Sequence, residues 1–177
     1  MSKFLIPDSS ENTTGKKVYS AFLFFNLIWI FMIIAAPVLT DFGGIFKNFS
    51  DILYIFFSKV CHQDESRCFY ISGNIFAVCS RCFMIYAGFL TGIILYPFIY
   101  KKGNTQIPSI NFLLFAVILL LADVVMDLTG IFNNTFISRS VTGFIIGIIL
   151  PFYLLPGFVK FFDEVISFLK NKLIYKN

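Results

Sequence analysis

Apolar residues run almost unbroken through four stretches of this chain, at residues 18–40, 83–100, 108–129 and 136–155. Each is close to the about 20 residues that a helix needs to cross a bilayer. The first carries no charge, and the third carries Asp123 and Asp127. Residues 101–106, KKGNTQ, read as a short polar turn between the second and third. Beyond the fourth the pattern changes. Val159, Phe162, Val165, Ile166, Leu169 and Leu173 recur at helical spacing with charged residues opposite. That predicts an amphipathic helix over 157–176, lying on the membrane surface.

The loop 41–82 has its own pattern. Asp41-Phe-Gly-Gly marks a turn, and Ser50 is placed to cap a short apolar helix over 51–61. Two short runs rich in aromatic and β-branched residues, 69–72 and 75–78, flank Gly73-Asn74 and predict a hairpin. A two-residue turn at Gly73-Asn74 pairs Ser72 with Ile75 and, further along, Cys68 with Cys79.

Composition turns these elements into a class. The chain is 58% hydrophobic and 14% charged, with a mean hydropathy of +0.82 and 25 phenylalanines. Soluble domains are about a quarter charged. The expectation is an all-α integral membrane protein, one membrane domain over residues 1–177, with four transmembrane helices. The first stretch exceeds the ~7–15 apolar residues of a secretory signal and lacks a small-residue cleavage site, so it reads as a retained anchor.

Net charge is +4, and the lysines form no basic stripe, which argues against a nucleic-acid partner. Their placement carries topology instead. Lys3, Lys16, Lys17, Lys101, Lys102, Lys160, Lys170, Lys172 and Lys176 share one side of a four-span layout. The positive-inside rule makes that side cytoplasmic, with both termini in the cytoplasm. The loop 41–82 then faces outward.

All four cysteines and the single histidine lie in CHQDESRCFYISGNIFAVCSRC, residues 61–82. Three readings of this cluster stand open. In the first, Cys61, His62, Cys79 and Cys82 hold a metal, zinc being the expected ion, with Cys68 able to replace one of them. Thiolate and imidazole donors with a C-x-x-C pair suit a tetrahedral zinc shell. In the second, Cys61/Cys68 and Cys79/Cys82 exchange disulfides with a quinone as the electron acceptor. In the third, a static Cys68–Cys79 disulfide staples the hairpin.

Asp123 and Asp127, spaced i and i+4, share a helix face near the outer end of their segment. Carboxylates at membrane depth need partners, and Arg139 at the start of the fourth stretch is placed to pair with one of them. Asn26 reads as packing glue, and Gly143-x-x-x-Gly147 as a close helix contact. Arg67, Arg81 and Arg139 fall on the same outer side and predict a pocket for an anionic or lipid-linked ligand. Asp123, Asp127, Arg81 and Arg139 are the catalytic candidates should the site be a zinc-dependent hydrolase with Asp123 as base.

Cys61-His62-Gln63, Arg67, Phe69, Cys79-x-Arg81-Cys82 and Ile85-Tyr86-x-Gly88, followed by Asp123, Gly130, Arg139 and Thr142-Gly143, resemble a family. It is a group of small prokaryotic membrane proteins catalogued as domain of unknown function 2085. The resemblance covers roughly residues 50–150. It implies a recurrent metal or redox site with two arginines and an aspartate, and no particular activity. Cys68 stands where the family usually has serine, which marks it as the surplus donor. Asp127 stands where glutamine is usual.

Overall fold

The computed structural model describes residues 11–100, 106–131 and 133–174. Six helices are present among them: α1 Glu11–Thr40, α2 Gly44–Ser58, α3 Ser80–Ile99, α4 Ile110–Leu128, α5 Phe136–Ile149 and α6 Pro151–Ile174. A 3₁₀ turn, Glu65–Arg67, leads into a two-stranded antiparallel hairpin, β1 Cys68–Ile71 and β2 Asn74–Cys79. Four helical spans among the described residues are long and apolar enough to cross a membrane: Thr13–Thr40, Ser80–Ile99, Ile110–Leu128 and Phe136–Leu169. The chain is therefore an all-α membrane protein, and the hairpin and α2 are the elements outside these four spans. The polar turn expected at 101–106 lies outside the described residues except for Gln106, as do Lys3, Lys176 and the end of the C-terminal helix expected to reach 176.

The tightest seam joins α3 to α5. Gly88 on α3 lies against Gly147 on α5, Gly92 against Ile148, and Gly143 of α5 against Arg81. A Cβ at Gly88 would lie 2.5 Å from the Phe144 carbonyl oxygen, and one at Gly92 2.5 Å from that of Ile148. One at Gly147 would collide with the Ile85 carbonyl. Without a hydrophobic drive between helices in lipid, such small-residue faces let the backbones approach and supply the dispersion contact. Gly143 and Gly147 are the contact expected from the sequence. The matching pair on α3 is an addition.

Helix α4 packs mainly on α5 and turns most of its apolar surface outward, as a lipid-facing helix does. Helix α6 packs on α1 and α3, where Val18, Tyr96, Leu155 and Val159 form a small core. It begins at Pro151 and carries Pro156 within it, so the expected boundary at 155–157 falls inside a continuous helix. A proline at a first helical position sacrifices no hydrogen bond, which is why Pro151 starts the helix.

A second core sits under the loop. Ile33 and Ala36 of α1, Phe57 of α2, Cys61, and Phe76, Ala77 and Val78 of β2 pack together. Helix α2 starts at Gly44, well before the expected 51, and Ser50 is not its cap. Its Oγ is buried and donates to the Ala36 carbonyl at 2.7 Å, with the Thr40 hydroxyl 2.8 Å away. The C-terminal carbonyls of a helix lack intrahelical donors. The Pro37 carbonyl accepts from the Asn74 side-chain amide at 3.2 Å. The end of α1 thus anchors both α2 and the hairpin.

The hairpin turn is displaced by one residue from the expected position. Ile71 pairs with Asn74 and Tyr70 with Ile75, so the turn residues are Ser72 and Gly73, at φ 53° and 85°. Two positive φ values give the twist that tight hairpins favour. Cys68 still faces Cys79, because an irregularity between Cys68 and Tyr70 takes up two extra residues on β2.

Candidate metal centre and ion-pair layer

Three elements deliver three sulfurs to one place. Cys61 follows the last turn of α2, where its N–H donates to the Phe57 carbonyl at 2.9 Å. Cys79 ends β2 and Cys82 lies in the first turn of α3, since that helix starts at Ser80 and not at 83. The Sγ atoms of Cys61, Cys79 and Cys82 all lie within 4.8 Å of one another. The Cys79 N–H donates to Cys61 Sγ at 3.2 Å. Hydrogen bonds from Cys79 and Cys82 hold the Cys61 thiol well below its ordinary range, with backbone donation from Cys79 and Gln63 adding to them. The group thus favours thiolate at Cys61, the form that binds metal.

The other two donors behave differently. Cys68 is fully buried, and burial, aided by the nearby Cys79 and Cys61, pushes its thiol up to about 12. It sits opposite Cys79 on the backbone, yet its side chain is not among the three converging sulfurs. No disulfide joins any of the four cysteines. His62 is exposed and stands apart from the sulfur group.

Gln63 completes the loop, and sequence reasoning gave it no role beyond membership of a motif. Its side-chain amide donates to the Tyr54 carbonyl and to the Ala77 carbonyl, both at 2.8 Å. It thereby bolts the Cys61 segment to α2 and β2 at once. Its φ of 52° is unusual for a residue with a Cβ, and the two hydrogen bonds hold it there. The Tyr54 hydroxyl adds a further tie by donating to the Ile75 carbonyl.

Directly beside the sulfurs lies a layer of ion pairs. Arg81, between the two cysteines of the C-x-x-C, reaches Asp123 of α4 through its Nη2. Arg139 of α5 binds Asp127 with Nη2 at 3.0 Å from Oδ2 and 3.3 Å from Oδ1. The Asp–Arg pair expected between the third and fourth spans is thus Asp127–Arg139, and Asp123 takes Arg81 instead. Asn134 links the two acids, its N–H donating to Asp127 Oδ1 at 3.1 Å and its side chain to the Asp123 carbonyl at 2.9 Å. Thr142 Oγ1 stands 3.3 Å from Asp123 Oδ2. Arg67, half exposed at the 3₁₀ turn, pairs with Asp64 at 3.1 Å and approaches Asp127 at 3.9 Å. The Nε atoms of Arg81 and Arg139 are buried without a hydrogen-bond partner.

Both features belong to one end of the bundle and to one stretch of sequence that recurs elsewhere. A family described as "Predicted membrane protein (DUF2085)" matches residues 61–153, from the first cysteine of the cluster to the start of α6. The chain is 40% identical over 148 residues to "Uncharacterized protein MJ1492" of Methanocaldococcus jannaschii, covering 82% of this chain and 95% of that protein. No solved structure matches. On the family match and on this relative, the chain belongs to the predicted membrane protein family DUF2085.

Proposed function

We propose that this is a metal-binding protein of a prokaryotic cytoplasmic membrane, in which Cys61, Cys79 and Cys82 hold one thiophilic divalent ion, zinc by preference. The ion locks the loop onto the start of α3 above the ion-pair layer, and that layer receives the anionic part of a membrane-borne ligand. The observation that carries the metal is the convergence of three sulfurs from three separate elements, with a backbone N–H already on one of them. Thiolate donors of this number and spacing suit zinc, and outer-shell hydrogen bonds of this kind orient such ligands. Three protein donors leave a fourth tetrahedral position for a group that is not one of these cysteines. The nine lysines on the opposite side favour an outward-facing site with both termini inside.

The two unpartnered Nε–H groups of Arg81 and Arg139 support an anionic ligand. The hydrolase reading is less well supported. Asp123 is committed to Arg81 and is close to Thr142, so it lacks the freedom of a general base. Disulfide exchange between two cysteine pairs is also less well supported, because Cys68 stands outside the sulfur group.

The test is metal content and a cobalt spectrum on protein purified without chelator. About one ion per chain is expected. Cys61→Ser, Cys79→Ser and Cys82→Ser should each lose it together with the sulfur-to-cobalt charge-transfer bands. Cys68→Ser should keep both. A metal-free protein with all four thiols titratable, or retention of the ion in Cys82→Ser, overturns the reading.

A further inference from the structure

Midway along the spans, one helical turn from Cys82, α1, α3 and α6 flank an open groove of about 530 Å³. Its walls include Phe22, Asn26 and Trp29 of α1, Tyr86 and Phe89 of α3, and Phe158 of α6. Nearly everything exposed inside it is apolar, and most of the wall is aromatic. Asn26 is the exception. It is only 8% exposed, and its Oδ1 is buried without any hydrogen-bond partner. Trp29, one turn along on the same helix, has its indole N–H near the Tyr86 hydroxyl but without a hydrogen bond of ordinary geometry. An unpaired polar atom in a hydrocarbon setting is costly, with no water at hand to relieve it. An asparagine that merely glued helices together would bond across a helix interface.

We infer that this groove binds a membrane-soluble ligand with a planar ring and a carbonyl or hydroxyl on its edge, the quinone and quinol class. The aromatic wall suits a flat ring, the volume is that of a small-molecule site, and the few polar groups set its orientation. An amide acceptor and an indole donor at i and i+3 complement a ring carrying both a hydroxyl and a carbonyl. A saturated acyl chain offers neither group and leaves both atoms unpaired. The inference concerns binding alone and stands apart from the metal reading: no cysteine is a wall of the groove.

The sequence supplies the probe, because Trp29 is the single tryptophan of the chain. The protein, in nanodiscs, is titrated with a decyl-tailed benzoquinone while Trp29 emission is followed. Saturable quenching is expected, unchanged in Cys82→Ser. Asn26→Leu should weaken it about tenfold, the loss of roughly one hydrogen bond. The same variant should leave thermal stability equal or higher, since it removes an unpaired polar atom. Ile85→Phe, which fills the groove from α3 without touching either polar group, should also weaken binding. Quenching that rises linearly and equally in all variants overturns the inference. So does full quenching by brominated phosphatidylcholine that the quinone fails to displace, which would make bulk lipid the occupant. Loss of stability in Asn26→Leu with unaltered quenching returns Asn26 to a packing role.

Discussion

Gly143 of α5 lies under Arg81 of α3: a Cβ at Gly143 would stand 2.6 Å from the Arg81 carbonyl oxygen and 3.3 Å from its Cγ. The bare glycine lets the arginine stem cross the face of α5 and reach Asp123 on α4. Helix packing and the ion pair therefore depend on the same missing methyl. Gly143→Ala should cost about 1–3 kcal/mol, the range of overpacked interiors. Unfolding measured by steric trapping in bicelles checks this, and a variant as stable as the parent would show that the seam yields.

The Arg81–Asp123 pair is largely buried, with side-chain exposures of 20% and 9%. Removing one partner of a buried pair leaves an uncompensated charge and typically costs about 3–5 kcal/mol. Asp123→Asn and Arg81→Met should each be strongly destabilising. The double variant should be much less so than the two added together, with a coupling of about 1–3 kcal/mol. Strict additivity in that cycle would mean that the two groups do not interact.

Ser72 holds a left-handed conformation at φ 53°, which residues with a Cβ adopt at a cost. Asparagine tolerates this region, and Asn-Gly is the preferred pair for such a turn. Ser72→Asn should stabilise the hairpin by roughly 0.5 kcal/mol, and Ser72→Val should cost about 1–2 kcal/mol. Amide exchange of the β1 and β2 N–H groups reports both. Equal protection in the two variants would contradict the turn assignment.

The hairpin also shows what the sequence can and cannot tell. Gly73-Asn74 reads as a turn because both residue types favour turns. Asn74 is needed instead for tertiary contacts, donating to the Pro37 carbonyl and to Asp41 Oδ1 at 2.7 Å. No local pattern marks that demand, since Pro37 and Asp41 are more than thirty positions away. The pairing of Cys68 with Cys79 was legible, but its expected route was not. A one-residue shift at the turn is compensated by an irregularity in β2. The spans were legible because lipid demands long apolar runs, whatever the detail of packing. The partners of Asp123 and Asp127 were only half legible. Helical spacing places the two acids on one face, and the choice between Arg81 and Arg139 depends on how closely α3 and α5 approach.

If the three sulfurs hold an ion, its removal should loosen the loop and spare the bundle. A membrane-permeant chelator should then raise amide exchange through residues 61–82. The α3–α5 seam rests on glycine contacts and should be unaffected. Metal-ligand bonds count as folding energy where no preformed site exists without them. Unchanged exchange in the loop would show that the second core and the hydrogen bonds of Gln63 hold it unaided.

Gln63 offers the sharpest separation of loop order from ligand identity. Its side chain donates two hydrogen bonds to carbonyls and is not one of the sulfur donors, while its backbone N–H supports Cys61. Gln63→Ala removes both bonds, each worth about 0.5–1.5 kcal/mol. Outer-shell losses of this kind commonly weaken metal binding by about 10–100-fold. Gln63→Glu should be at least as damaging, because a carboxylate cannot donate and would face two carbonyl oxygens. Competition titration with a zinc dye gives the affinity and amide exchange at Ala77 and Val78 gives the loop order. Weaker zinc binding with raised exchange is the expected pair of results. Parental affinity in a loosened loop would mean that the cysteines find the ion without the geometry this glutamine imposes.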